Sequence, residues 1–446
     1  MIFKAYDIRG TVPDQLDADT AYGIGRATAR FYEADTIAVG RDARTHSPEL
    51  CEALIEGIRD EGVNVIDLGL VSTPMLYFAV DQLDADGGVM VTASHNPGEY
   101  NGFKLCREHA IPVGEDTGLK EIEALVPERA DAPTVTPRGE LRGEHVLDGY
   151  VEHVLSVGKG RPSLKVAIDC GNGMAGRSLL PLLERLDLKT ELLYVEPDGT
   201  FPNHEADPLK VENLADVIEA VKRSKADFGV AFDGDGDRAV FVDEKGEPIS
   251  SDLITAVLAV VQLKRVPGGR VLYDLRSSRA VAEEIERAGG TAEMCRVGHS
   301  FVKAQMRESG AAFAGELSGH FYFRFSHTLV ADDGTAAFVA LLDVLADRGE
   351  KLSKIVQPLR RYSASGEINS RVADIDKVLK AIELEHAGAD EISKLDGLLV
   401  RYSDWWFNLR PSNTEPVLRL NLEADELGKM EKERDAMLAR IADLGS

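Results

Sequence analysis

The chain has 446 residues, room for about three domains at roughly 150 residues each. Its 76 Asp and Glu against 51 Lys and Arg leave a formal charge of −25, which argues against nucleic-acid or anionic-membrane partners, because phosphate surfaces demand clustered Lys and Arg. With 44% hydrophobic and 28% charged residues and the charges dispersed, the composition is that of a globular protein. No apolar run is long enough to cross a membrane. The start, Met1 to Asp7, has no basic stretch followed by an apolar one, so a cytoplasmic location is expected. Cys51, Cys106, Cys170 and Cys295 are too scattered for a zinc spacing or a disulfide framework, and free thiols are expected.

Along the chain, Thr36-Ile37-Ala38-Val39 reads as a strand ending in the polar turn Gly40-Arg41-Asp42. An amphipathic helix follows, with Ser47 expected as N-cap and Pro48 at the first helical position. Val63 to Ile66 is the next strand, and Gly88 to Val91 opens into Thr92-Ala93-Ser94-His95-Asn96-Pro97. Pro127 to Gly139, with three prolines, reads as an exposed excursion. The pattern then recurs: Lys165 to Ile168 before Asp169, Thr190 to Leu193, and Phe228 to Phe232 opening into Asp233-Gly234-Asp235-Gly236-Asp237-Arg238. It recurs again as Arg270 to Tyr273 before Asp274, Thr291 to Met294, and Ala311 to Ala314 opening into Gly315-Glu316-Leu317-Ser318-Gly319-His320. Strand–helix–strand three times implies parallel pairing with right-handed crossovers. Ligands in such sheets gather beyond the carboxyl ends of strands, so three equivalent loops are expected to face one cleft. Alternation in Gly397 to Tyr402 and Pro416 to Leu422, then a charged helix from about Asp425, suggests a smaller closing domain. The expected fold is therefore α/β: three tandem similar mixed α/β domains (1–145, 146–252, 253–361) plus a smaller C-terminal α+β domain (362–446) around one central cleft.

Each loop carries its own chemistry. Asp233, Asp235 and Asp237 alternate with glycines that let the loop fold tightly and aim three carboxylates at one hard cation. An EF-hand is excluded because position six, counted from Asp233, is Arg238 where glycine is required; a solvated acidic turn is the plain alternative. Ser94 is a poor nucleophile unless activated or modified, and no GxSxG elbow is present. Lys104, in Asn101-Gly102-Phe103-Lys104, follows closely enough to share its site. Arg410-Pro411-Ser412-Asn413-Thr414-Glu415 combines a guanidinium with short polar donors, a set suited to a phosphate dianion or, failing that, a polar turn. Trp405-Trp406-Phe407 reads as packing rather than a sugar platform.

Taken together, from Ala5-Tyr6-Asp7-Ile8-Arg9-Gly10 to Arg410-Pro411-Ser412-Asn413-Thr414-Glu415-Pro416, these loops resemble the α-D-phosphohexomutase superfamily, most closely its phosphomannomutase/phosphoglucomutase branch. The resemblance implies that Ser94 is phosphorylated in the active enzyme and that Asp233, Asp235 and Asp237 hold Mg²⁺ together with a phosphoserine oxygen. It makes Arg9 and Arg238 the arginines that steady the phosphoserine, and Lys104 and His299 a general acid/base pair. Glu316 and Ser318 would take sugar hydroxyls with His320 nearby, Arg410, Ser412, Asn413 and Thr414 would clamp the substrate phosphate, and Tyr6 and Arg276 would add contacts. The implied reaction interconverts the 1- and 6-phosphates of mannose and glucose through a glucose or mannose 1,6-bisphosphate, which is both activator and intermediate. Partners would be small sugar phosphates, and the chain a monomer. Phosphoglucosamine mutase shares this chemistry; a metal-dependent sugar phosphatase with Asp233 as nucleophile, or a non-catalytic sugar-phosphate binder, are the alternatives of another class.

Overall fold

A computed structural model describes residues 2–130, 133–160, 162–411 and 417–445. Three sheets repeat one strand order. In the first, Tyr100–Arg107 pairs antiparallel with Gly87–Val91, which runs parallel to Thr36–Arg41 and, beyond it, Asn64–Leu70. In the second the same places are taken by Ala239–Asp243, Phe228–Phe232, Leu164–Asp169 and Leu188–Leu193. In the third they are taken by Phe321–Arg324, Phe313–Gly315, Arg270–Asp274 and Thr291–Cys295. Each of the three loops joins the central parallel strand to its antiparallel neighbour, so equivalent turns emerge from equivalent sheet ends. The fourth sheet is antiparallel, with Trp405–Pro411 between Leu398–Arg401 and Val417–Ala424 and the helices Ile375–Glu385 and Leu427–Gly445 packed against it.

The apolar runs are buried as their composition demands. One continuous core links the first three units: Tyr77 and Phe78 of the first, Phe228 and Phe241 of the second, and Phe313, Phe321 and Phe338 of the third belong to it. The last unit has its own core around Phe407, Leu409, Leu420 and Leu422, which confirms that the aromatic run there is packing. Between the third and fourth units the buried apolar contact is small: Leu275, Leu399 and Trp406. Three units are thus fused while the fourth is lightly docked. All four cysteines are buried and unpaired.

Two local expectations are corrected. The helix Ser47–Asp60 is preceded by His46 as N-cap; Ser47 is already helical, and its hydroxyl donates to Asp42 at 2.6 Å instead of capping. Pro127 lies inside the helix Leu119–Ala130 and does not open a loop. It is exposed, so water can satisfy the carbonyl that a proline leaves without its helical partner.

Candidate active site

Asp42, Asp169 and Asp274 end the equivalent central strands and each organises its own turn. Asp42 accepts from the Arg44 backbone, Ser47 and Thr92; Asp169 from Gly171 N and the His204 ring; Asp274 from Arg276 and from Leu317 N. The serine loop gains a further brace from Arg44, fully buried, which donates to the carbonyls of Ser94, Asn96, Pro97 and Tyr100. This brace was not visible in the sequence. Its partners in that loop are backbone carbonyls some 50 residues away, which no residue pattern encodes.

Ser94 is held with φ +51, a left-handed conformation that costs a non-glycine residue of order 1 kcal/mol. Its hydroxyl donates to Asp233 Oδ2 at 2.9 Å and stands 3.2 Å from His95 Nδ1. The two loops meet backbone to backbone: a Cβ on Gly234 would lie 2.4 Å from the Ser94 carbonyl oxygen, so only glycine fits there. Gly236, at φ +79, completes the turn that brings the three aspartates together.

One carboxylate oxygen from each of Asp233, Asp235 and Asp237 falls within 4.8 Å of the others, all three residues buried. Lys104 Nζ lies 2.6 Å from Asp235 Oδ2 and 2.5 Å from Asp237 Oδ2. Thr73, which no sequence motif marks, donates to Asp235 Oδ2 at 2.6 Å. The Oδ1 atoms of Asp235 and Asp237 are buried without a hydrogen-bond partner among the described residues, an expensive arrangement that a hard cation would relieve. The donor set of clustered carboxylates around a serine oxygen fits a divalent cation of the Mg²⁺ kind. A second trio, Asp237, His320 and Asp332, overlaps the first, but Lys303 already holds Asp332 at 2.8 Å.

Burial, then its neighbours Asp237 and Asp235, push Asp233 well above the ordinary carboxylate range. Burial also works against ionised Asp237, but Lys104, His320 and Arg238 overcome it and hold that carboxyl well below the range. Burial disfavours charged Lys104, yet the three aspartates more than reverse this and raise it above the usual lysine value. Lys104 is therefore an ammonium.

The third loop closes on the metal loop. Residues Arg238 and His320 form an isolated antiparallel bridge, with Arg238 Nε 3.2 Å from His320 Nε2, which in turn lies 3.4 Å from Asp237 Oδ1. Ser318 Oγ meets His320 Nδ1 at 2.9 Å. Glu316, 1% exposed, accepts from Gly298 N at 2.7 Å and from Tyr322 OH. His299 stands 6.3 Å ring to ring from His320 and 5.9 Å from Tyr6; burial, then Lys303 and Lys104, keep its imidazole well below the ordinary value and so neutral. Arg9 is tied to Asn96 and Asp7 at the edge of the serine loop. At the far end, Arg276 pairs with Asp274 at 2.7 Å, and Arg410 projects from the fourth unit toward it. Ser412, Asn413 and Thr414 lie outside the described residues.

Tyr6, Arg238, Arg276, His299, Glu316, Ser318, His320 and Arg410 thus line one cleft of about 500 Å³. A larger cavity of about 800 Å³, lined in part by Ser300, Phe301, Ala304 and Arg307 of the helix His299–Ser309, shares none of them. A serine on an acidic cation pocket, facing a sugar-sized cleft with arginines at its far end, defines an enzyme of phosphoryl transfer on a sugar phosphate.

Comparison with known proteins gives the same class. Sequence profiles described as phosphoglucomutase/phosphomannomutase match in order: alpha/beta/alpha domain I over residues 1–132, II over 148–246, III over 250–362, and the C-terminal domain over 367–440. The chain is 40% identical over 439 residues to a phosphomannomutase of Salmonella montevideo, covering 95% of this chain and 94% of that one. It is 38% identical over 437 residues to a phosphomannomutase/phosphoglucomutase of Pseudomonas syringae pv. tomato, covering 97% and 93%. The crystal structure of a phosphoglucomutase/phosphomannomutase family protein from Burkholderia thailandensis superposes with a TM-score of 0.91 at 37% identity, over 99% of this chain and 97% of that one. The chain belongs to the phosphoglucomutase/phosphomannomutase family. It is a phosphohexomutase, an intramolecular phosphotransferase. Among the described residues no helix is long and apolar enough to cross a membrane.

Proposed function

We propose that the enzyme interconverts the 1- and 6-phosphates of mannose and glucose through phosphorylated Ser94 and a hexose 1,6-bisphosphate. The observation that carries this reading is the contact of Ser94 Oγ with Asp233 at 2.9 Å inside the triple-aspartate pocket. Mg²⁺, held there by Asp233, Asp235, Asp237 and a phosphoserine oxygen, would supply positive charge to the phosphoryl oxygens.

In the forward half-reaction the free hydroxyl oxygen of a hexose phosphate attacks the phosphorus on Ser94. The new O–P bond forms as the Ser94 Oγ–P bond breaks, giving the bisphosphate. The Lys104 ammonium, with Arg238, stabilises the charge that spreads over the transferring group, and Lys104 is the acid that supplies a proton to the released Ser94 Oγ. A neutral histidine must take the hydroxyl proton. That histidine is His299, buried in the cleft beside Tyr6 and His320, with Glu316 bonded to the neighbouring Gly298 N; we assign it the base. The bisphosphate then turns, and the reverse sequence returns its other phosphate to Ser94.

Turning requires that each phosphate fit the Arg410 end, so only hydroxyls that nearly exchange places can be read in both orientations. Those are the 3- and 4-hydroxyls, which leaves the 2-hydroxyl, the difference between mannose and glucose, without a dedicated partner. A coupled assay with mannose 1-phosphate and glucose 1-phosphate tests this: kcat/KM values within about two orders of magnitude are expected. A stricter preference would reject dual specificity.

A further inference from the structure

The phosphate end of the cleft carries more positive charge than Arg410 alone. Three guanidiniums converge on one carboxylate, Glu367. Nη1 of Arg276 lies 3.5 Å from Glu367 Oε2, Nη2 of Arg410 lies 3.8 Å from the same oxygen, and Nη1 of Arg419 lies 3.2 Å from Oε1. Arg410 and Arg419 face each other across neighbouring strands, while Arg276 arrives from the third unit, so the cluster bridges the lightly docked interface. Asp274 is committed to Arg276 and Asp396 also acts on Arg410, but Glu367 is the carboxylate within ion-pair reach of all three. Burial, then the neighbouring Arg276, draw Arg410 below the ordinary arginine value, as crowding of cations should.

Glu367 differs from its partners in how it is held. It follows Gly366 on the short connection between the strands Ser363–Ala364 and Ile368–Arg371, and its side chain is 26% exposed against 6% for Arg410 and 8% for Arg276. The arginines are walls; the carboxylate is at the rim and can leave without disturbing a core.

We propose that Glu367 is an internal competitor for the substrate's phosphate: in the free enzyme its carboxylate balances the Arg276–Arg410–Arg419 cluster, and a phosphoryl group displaces it on binding. This rests on the mutase reading of Arg410. A carboxylate offers one charge, whereas a phosphate dianion offers nearly two and a third acceptor oxygen, so the exchange favours phosphate. A sugar hydroxyl brings no charge and does not displace Glu367. The cluster is thereby closed to the wrong end of the substrate. When a phosphate leaves, Glu367 takes its place, which shortens the residence of an intermediate that must detach and turn. Arg419 becomes a third cationic member of the phosphate clamp, beyond the residues that the loop motif suggested.

Calorimetric titration of the full-length enzyme with inorganic phosphate, alongside steady-state kinetics, tests the proposal. Glu367→Gln keeps the shape and removes the charge; it should bind phosphate about fivefold or more tightly than wild type, because a like charge beside the anion is gone. Its KM for hexose 1-phosphate should fall together with kcat, since release becomes slow, a paired change that a structural lesion does not produce. Glu367→Asp, which retains the charge, should restore wild-type behaviour, and Arg419→Gln should weaken phosphate binding. Phosphate binding in Glu367→Gln that is unchanged or weaker overturns the proposal. A Glu367→Gln chain that melts far below wild type overturns it too, since the carboxylate would then be a structural anchor. Arg410→Ala separates the levels. If it abolishes phosphate binding while Glu367→Gln shows no gain, only the competitor role falls; if it leaves binding intact, the clamp reading falls and takes the competitor role with it.

Discussion

Ser94 Oγ and Asp233 Oδ2 are 2.9 Å apart although 139 residues separate them in the chain. Two units of the fold contribute one loop each, and the contact joins the proposed phosphate carrier to a proposed cation ligand. Ser94→Ala removes one hydroxyl from a loop whose position is set by Arg44 and by the approach of Gly234, so the fold should survive. Mutase turnover should drop by about a thousandfold or more, because the proposed phosphoryl acceptor is gone. Activity near wild type in a coupled assay would refute the serine's role.

Asp235→Asn should abolish most Mg²⁺-dependent activity, a loss of about a hundredfold or more, with little change in melting temperature. Three buried carboxylates repel one another, and neutralising one offsets the loss of its bond to Lys104, which keeps Asp237. Activity measured against Mg²⁺ concentration and with EDTA checks this; a variant equally active in EDTA would refute the metal reading.

Acid should weaken the joint where His153 of the second unit packs between the first and the third. Its ring lies 4.9 Å from Phe78 and 4.3 Å from Phe325, and burial there, only partly opposed by Asp81, lowers it to about 4. The folded chain then binds fewer protons than the unfolded one. The contribution is complete above pH 6.5 and is lost as pH falls toward 4. In urea melts, His153→Phe should reduce the loss of stability between pH 7.5 and 4.5 by about 2 kcal/mol. An identical pH dependence in both proteins would contradict this.

The fourth unit should close over the bisphosphate. Its small apolar contact with the third is supplemented by Arg279, which bonds Glu423 and Asp425 and lies 4.2 Å from the Tyr362 ring centroid; Tyr362 is the last residue before Ser363–Ala364, which already pairs within the fourth sheet. Small-angle scattering should show a smaller radius of gyration with a bisphosphate analogue. Arg279→Ala should raise KM about tenfold with a smaller effect on kcat. An unchanged radius and an unchanged KM would argue for a rigid joint.

Much of this site was legible in the sequence because an α/β repeat places its functional turns at recurring points. The apolar runs before Thr92, Asp233 and Gly315 announced strands, and the unusual residues after them announced the loops that meet in the cleft. What escaped was whatever depends on partners without a pattern. Arg44 acts through distant carbonyls, Thr73 opens a helix and touches Asp235 only in the folded chain, and Glu367 reads as one acid after a flexible Ser-Ala-Ser-Gly stretch. Ser47 looked like a cap because its type favours that position, but Asp42 outbid the backbone for its hydroxyl. Local propensity yields to such tertiary bonds wherever a buried acceptor is near.

The central claim is that Ser94 carries the phosphoryl group, and peptide mass spectrometry after incubation with glucose 1,6-bisphosphate and Mg²⁺ tests it most directly. A phosphate on the tryptic peptide containing Ser94, absent from Ser94→Ala and lost on addition of hexose monophosphate, is the predicted result. A phosphate on Asp233 instead, or none anywhere while turnover proceeds, would contradict the account.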